Sequence, residues 1–192
     1  MKTPQEEVYV RSRAEWRQWL FENAAHSSGI WLIYDKGPAR ILSYDDIVEE
    51  ALCFGWIDSK PRRLDDTRAM LYVAPRKPTS AWSQLNKQRA ERLLVAGLMQ
   101  PAGLAAIETA KRNGTWTALE KVEQLIEPDD LRAAFAQNPQ AREHWGLCPR
   151  STKRAILEWI ASAKTAETRA QCIARTVAEA AASRRANQWR QR

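Results

Sequence analysis

The sequence has few of the residues that bind metals or form disulfides. It contains three widely separated cysteines, Cys53, Cys148 and Cys172, and only two histidines, His26 and His144. No Cys-x-x-Cys pair occurs, so the closely spaced ligands of a structural zinc site are missing. The sequence therefore predicts three buried or half-buried free thiols, no metal site and no cofactor.

Long apolar runs are also absent. No run of about 18 apolar residues occurs, so we expect no membrane-spanning helix. Residues 1–16 lack the apolar stretch of a signal peptide, and we therefore expect a cytoplasmic protein. With 192 residues, the chain is long enough for one large domain or two small ones. Its hydrophobic fraction of 44% is enough to form a core without disulfides or a bound metal.

Positive charge exceeds negative charge in two places. The formal net charge is +7, and the last nine residues carry four arginines and no acid. Residues 60–92 contain nine cations against three acids. Such a segment suits an anionic partner, but a solvated basic face explains it equally well, and both interpretations stay open.

Two capping boxes predict helices in the first half of the chain. Ser12 with Glu15, and Ser43 with Asp46, have the spacing at which two side chains satisfy each other's backbone N–H groups. Gly55 suits the C-terminal end of the second of these helices.

Three short apolar runs in the same half predict strands at residues 30–34, 56–60 and 69–74. Strands with helices packed on them make an α+β layer. The segment 54–86 interleaves tryptophan with cations, and because tryptophan is costly to expose and cations are costly to bury, it predicts a surface pocket or groove.

The second half of the chain predicts helices joined by short connections, as in antiparallel neighbours. The predicted helices span residues 81–96, 101–113, 116–126, 129–137, 139–147, 151–163 and 166–184. We therefore predict an α+β fold class, with a small mixed sheet and helices in a module at 1–97 and a helical bundle at 98–192 packed against it.

Several short motifs identify a family when they are taken in order. They are Trp31-Leu32, SYD at 43–45, EALCFGWIDS at 50–59, PRKP at 75–78, MQPAGL at 99–104 and WIASAK at 159–164. Together, across roughly residues 12–184, they resemble the YdeI/OmpD-associated family of small bacterial proteins, also called the bacteriocin-protection family. The resemblance implies a link to antimicrobial-peptide tolerance and to an outer-membrane porin, and it brings no established reaction.

The PRKP loop is the strongest candidate for a binding site. Its two prolines stiffen the chain on either side of Arg76 and Lys77, which could hold a carboxylate or a phosphate. Ser80 or Thr79 is expected to cap the next helix, whose N-terminus would favour an anion. The alternative is that the loop only locks that helix to the sheet.

Other residues of the segment could complete the site. Asp58 at a strand end could bind a ligand or act as a base, or it could pair with a nearby cation. Trp82 could stack on a ligand or belong to the core. Ser83 and Asn86 lie three apart on the predicted helix and could face one site. The predicted ligand-binding set is Asp58, Lys60, Arg76, Lys77, Trp82, Ser83 and Asn86, and we name no catalytic residue.

Three functions remain open at this stage. The first is a non-enzymatic binding or accessory protein in envelope-stress and antimicrobial-peptide tolerance, which holds a small anion or an acidic protein segment. The second is a nucleic-acid-binding protein driven by phosphate contacts, although no helix–turn–helix, RNP or zinc-finger signature occurs. The third is an enzyme of unrecognised type that uses Asp58 with a serine or lysine of the pocket. The oligomeric state does not follow from the sequence.

Overall fold

The computed structural model describes residues 6–187, so two of the C-terminal arginines, Arg190 and Arg192, lie outside the described residues. The chain divides into two compact units, the first ending at Thr117 and the second beginning at Ala118. Residue 97, the end of the predicted first module, lies inside the first unit. The packing of one module on the other stays a prediction.

The first unit confirms the α+β class. Its elements are β1 Glu7–Tyr9, α1 Arg13–Asn23, β2 Ile30–Asp35, α2 Tyr44–Cys53, β3 Trp56–Arg63, β4 Arg68–Pro75, α3 Gln84–Val95 and α4 Pro101–Arg112. The sheet order is β1-β2-β4-β3, with β1 parallel to β2 and the other pairs antiparallel. The three predicted strands are all present, and β3 and β4 are longer than predicted because they pair as a hairpin.

The second unit is helical. Its helices are α5 Glu120–Glu123, α6 Asp129–Ala136, α7 Pro139–Leu147, α8 Arg150–Ala161 and α9 Ala166–Ala181. The long helix predicted at 116–126 is wrong. Residues 113–119 form turns, and Leu125 has a positive φ of 57°, so only a short helical segment forms between them.

Buried tryptophans form much of the core in the first unit. Trp16 and Trp56 are at most 2% exposed, and they pack with apolar residues of α1, α2 and the sheet. Their indole N–H groups are satisfied, since Trp16 Nε1 donates to the carbonyl of Ile47 at 3.0 Å and Trp56 Nε1 to that of Ala24 at 3.3 Å. Both therefore belong to the core, as buried indoles with a partner usually do.

An ion-pair network joins α1 to α2. Glu50 is 2% exposed, and its two oxygens accept from Arg13 Nε and Arg17 Nη1, each at 2.6 Å. Arg13 also pairs with Asp46 at 2.8 Å. The predicted capping box of Ser43 and Asp46 is present in both directions, so Asp46 caps its own helix and binds the neighbouring one.

The other capping box is only half formed. Ser12 accepts from the backbone N–H of Glu15 at 3.2 Å, as predicted. The Glu15 carboxylate instead accepts from the backbone N–H of Arg11 at 2.8 Å. The predicted start of α1 is therefore confirmed. The Glu15 carboxylate binds the backbone N–H of the residue before the N-cap, and not that of the N-cap itself.

Two glycines allow α4 to lie against the turn between α2 and β3. A Cβ on Gly103 would collide with the carbonyl oxygen of Cys53, and one on Gly55 would lie 2.8 Å from the carbonyl oxygen of Ala102. Gly55 also has a φ of +73°, as its predicted position at the helix end requires. The backbone N–H of Gln100 donates to Cys53 at 2.9 Å, which closes the contact.

All three cysteines are buried and free, as predicted. Within residues 6–187, no cluster of three or more His, Cys, Asp or Glu side chains is arranged to hold a metal ion. None of the helices in this range is long and apolar enough to cross a membrane.

Gly103→Ala tests the close contact of α4. The added methyl group overpacks a backbone contact, which typically costs about 1–3 kcal/mol of unfolding free energy. Urea unfolding followed by tryptophan fluorescence should show this loss. Gly146→Ala is the matched control, because the site has open space around it and alanine stabilises a helix interior by about 0.5–1 kcal/mol. Equal stability of the two variants would contradict the contact.

Asp46→Asn tests the pH dependence of stability. Partial burial works against ionisation, but hydrogen bonds from Ser43 and Arg13 outweigh it and lower the pKa of Asp46. An ordinary aspartate has a pKa of about 3.9. The ionised group therefore stabilises the folded state above that pH, and this contribution is lost as the pH falls through the lower folded value.

We expect Asp46→Asn to lower the unfolding free energy at pH 7 and to weaken its decline under acid conditions. Asp66→Asn is the control, because the Asp66 side chain is 89% exposed and such surface changes usually alter stability by less than about 0.5 kcal/mol. If the unfolding free energy declines by the same amount under acid conditions in the wild type and in Asp46→Asn, the role given to Asp46 is refuted.

Candidate functional site

The PRKP loop half-buries one of its two cations and exposes the other. Arg76 follows β4, and its guanidinium carbon lies 4.0 Å from the ring centroid of Trp82, which is a close cation–π contact. Its Nη2 donates to the carbonyls of Ala81 at 2.5 Å and Ser80 at 3.3 Å. Its Nε is buried and has no hydrogen-bond partner among residues 6–187. Lys77, in contrast, is exposed.

The guanidinium of Arg76 remains charged although it is largely desolvated. Burial lowers its pKa to about 10, and the negative charge of Asp58 opposes that shift. No carboxylate in the described part of the chain forms an ion pair with Arg76. Since a desolvated charge normally has a partner, Arg76 lacks the paired carboxylate that would be expected among residues 6–187.

A cavity of about 310 Å³ lies beside this guanidinium. Arg76 and Lys77 contribute the cationic part of its wall, and Phe54, Trp56 and Trp82 contribute aromatic surface. The remaining wall comes mainly from one face of α4, which contributes Ala102, Ala105, Ala106, Thr109 and Ala110. The cavity thus combines a charged wall with a largely apolar one.

The loop is fixed by the chain that follows α4. The side chain of Asn113 donates to the carbonyl of Pro78 at 2.8 Å, and the backbone N–H of Trp82 donates to Thr115 at 3.1 Å. The loop therefore has the structural role considered in the sequence analysis. That role also holds Arg76 in place at the cavity.

The cavity wall includes three of the seven predicted site residues, namely Arg76, Lys77 and Trp82. Asp58 is half-buried on β3, where its carboxylate accepts from the Tyr44 hydroxyl at 2.6 Å. Burial and this contact with Asp58 raise the pKa of the Tyr44 hydroxyl. Lys60 is exposed on the edge strand β3. Neither Asp58 nor Lys60 lines the cavity.

The remaining two residues, Ser83 and Asn86, serve the start of α3. Ser83 is its N-cap and accepts from the backbone N–H of Asn86 at 3.3 Å, so the expected cap by Ser80 or Thr79 is wrong. The helix begins three residues later than predicted, because the backbone N–H of Trp82 donates to Thr115 and the chain turns into a helix only after Ser83. The Asn86 side chain accepts from Arg89 at 2.9 Å, and Arg89 pairs with Asp45.

The predicted basic segment is less cationic at its surface than its sequence indicates. Arg63 pairs with Asp66, Arg68 with Asp65, Arg89 with Asp45 and Arg92 with Glu49. Arg89 is also buried, being 5% exposed. Asp65 and Asp66 are already counted in the net charge of the segment, so Asp45 and Glu49 are the acids from outside residues 60–92 that offset two more of its cations.

Sequence reasoning missed the wall that α4 contributes. The alanines at positions 102, 105, 106 and 110 repeat at helical spacing and so share one face. Their small size was the available signal, because larger apolar residues at these positions would fill the space that the cavity occupies. Tyr44, the partner of Asp58, was also not named as a polar neighbour of the site.

Two family models match the chain. Residues 8–106 match the family described as Domain of unknown function (DUF8412), and because this is more than half of the chain, the chain belongs to that family. Residues 124–183 match the family described as Bacteriocin-protection, YdeI or OmpD-Associated. The predicted resemblance is confirmed over this range, while the GWIDS and PRKP motifs lie in the range of the other model. No curated protein and no solved structure matches the chain.

Proposed function

We propose that this member of the DUF8412 family is a non-enzymatic binding protein whose first unit holds a small anion against Arg76. The observation that carries the proposal is that Arg76 lines a cavity while its buried Nε has no hydrogen-bond partner among residues 6–187. The proposal keeps Arg76, Lys77 and Trp82 as ligand-binding residues. Asp58 acts on the site through its charge, and Ser83 and Asn86 act through the start of α3.

An anion would supply the ion-pair partner that residues 6–187 do not offer to Arg76. A buried donor without a partner costs about 1–3 kcal/mol, and more when it is charged. A carboxylate or phosphate oxygen at Nε would remove that cost and would also neutralise the guanidinium. The guanidinium lies over the Trp82 ring and donates to two backbone carbonyls, so little side-chain freedom remains to be lost when the anion binds.

The cellular part of the proposal rests on the family match of the second unit. That family is described as bacteriocin-protection, YdeI or OmpD-associated, and we extend this description to a role in antimicrobial-peptide and envelope-stress tolerance. We propose that the protein acts in this response as a cytoplasmic accessory protein. Binding of the ligand at Arg76 would connect the first unit to this response, either because the ligand acts as a signal or because the protein carries it.

Arg76→Gln tests the proposed site. Anything that binds only the folded state raises the melting temperature, so a small anion should stabilise the wild type, and acetate and inorganic phosphate are the two probes. We expect Arg76→Gln to abolish whichever anion-dependent shift the wild type shows, and we expect Arg76→Lys to retain part of it because the charge remains. Lys60→Gln removes a cation that does not line the cavity, and it should bind like the wild type.

The outcomes separate the possibilities. Absence of any anion-dependent shift in the wild type would overturn the proposal, as would equal losses in Arg76→Gln and Lys60→Gln. A shift with short DNA that disappears at high salt, and that does not depend on Arg76, would favour nucleic-acid binding instead.

For the cellular part, a bacterial strain that lacks the gene should regain peptide tolerance with the wild-type gene but not with Arg76→Gln.

A further inference from the structure

The cationic wall and the apolar wall of the cavity suit different parts of a ligand. Arg76 and Lys77 come from the loop after β4, while Ala102, Ala105 and Ala106 come from α4. The alanine side chains offer neither donors nor acceptors. A ligand that is polar throughout would leave its own groups unsatisfied against this face, which costs about 1–3 kcal/mol for each group.

We propose that the ligand is a small monocarboxylate with an unbranched apolar tail, bound with its carboxylate on Arg76 and its tail along the alanine face of α4. This inference rests on the proposed function and names the chemical class of its ligand. It assigns a specificity role to the alanines, which neither family description mentions.

The charge of the site favours a monoanion. Arg76 is the cation at the cavity that is largely desolvated, whereas Lys77 is exposed and remains hydrated. One buried guanidinium neutralises one negative charge, and its planar fork matches a carboxylate. A dianionic phosphate would bring a second charge that lacks a buried partner, and burying an uncompensated charge is costly.

The size of the cavity limits the tail. Its volume of about 310 Å³ lies at the lower end of the range for small-molecule pockets, which runs from about 300 to 1,000 Å³. A nucleotide or a long acyl chain would therefore extend beyond it. A tail of a few methylene groups is the part that the aromatic and alanine surfaces can remove from water.

The position of the alanine face depends on the backbone contact described above. Gly103 and Gly55 bring α4 against the turn that leads into β3, and Trp56 at the start of that strand lines the same cavity. With the helix held at this distance, the length of the side chains at 105 and 106 sets the free volume. Leucine at either position would project into it.

A chain-length series tests the inference. Acetate, butanoate, hexanoate and octanoate would be titrated into the full chain, and binding would be followed through the indole N–H signals of Trp56 and Trp82. Each added methylene buried should tighten binding about fourfold, until the cavity is full. Ala105→Leu should abolish this gain while acetate binding remains. Ala105 is exposed, so the variant is not expected to disturb folding.

A control variant, a second filling variant and two uncharged or cationic ligands complete the series. Ala133→Leu changes an exposed helical alanine in the second unit and should leave the whole series unchanged. Ala106→Leu is a second filling variant at a half-buried position of the same wall, and it should reproduce the effect of Ala105→Leu. Hexanol and hexylamine carry the same tail without the negative charge, and both should bind much more weakly than hexanoate.

The possible failures are distinguishable. If acetate and hexanoate bind equally well and both require Arg76, the apolar tail is wrong while the anion site stands. If butyl phosphate binds more tightly than hexanoate, the preference for a monocarboxylate is wrong. If hexanol binds as tightly as hexanoate, the role of Arg76 in this inference is wrong. If no anion binds, the proposed function itself fails.

Discussion

The close approach of α4 to the turn between α2 and β3 is the constraint on which the candidate site depends. Gly103 has no side chain where it meets the carbonyl of Cys53, and Gly55 adopts a positive φ that lets the chain reverse into β3. These two residues determine how far the alanine face of α4 lies from Trp56. The cavity is therefore a consequence of backbone packing, and its chemistry is added by the loop after β4.

A comparison with the buried Arg89 shows what makes the half-buried Arg76 different. Arg89 is buried and paired with Asp45, and it also donates to Asn86, so its charge is balanced within the fold. Arg76 has an aromatic face and two carbonyl acceptors but no ion-pair partner in the described residues. Burial of a charge without a counterion is unfavourable for a fold in isolation, and it is understandable where a ligand supplies the counterion.

Local sequence signals predicted those parts of the structure that local physics determines. The capping residues Ser12 and Ser43 mark the starts of α1 and α2, and Gly55 marks the end of α2, because caps satisfy backbone groups within a few residues. The three-residue strand β1 carries too short a pattern to be recognised. The start of α3 was misplaced because the hydrogen bond from Trp82 to Thr115 involves a residue thirty-three positions away.

The sequence indicated only those cavity-lining residues that are neighbours in the chain, and their role in binding stays a prediction. Arg76, Lys77 and Trp82 lie in one short segment, and their clustering of cation and aromatic side chains indicated a pocket. The opposite wall comes from α4, and its distance from the PRKP loop is a tertiary property that no spacing rule reveals. Asp58, Ser83 and Asn86 were placed at the site by proximity in the chain, whereas their contacts with Tyr44, the start of α3 and Arg89 direct them elsewhere.

The central claim is that one buried guanidinium and one alanine face form a single ligand site. A crystal structure of the chain with a short alkanoate that carries a bromine atom on its terminal carbon tests this most directly, since anomalous scattering locates the bromine independently of the fitted model. The account predicts a carboxylate oxygen within hydrogen-bonding distance of Arg76 Nε and the bromine against Ala102, Ala105 or Ala106. Bromine outside this cavity, or a carboxylate on Lys60 or another surface cation, would contradict it.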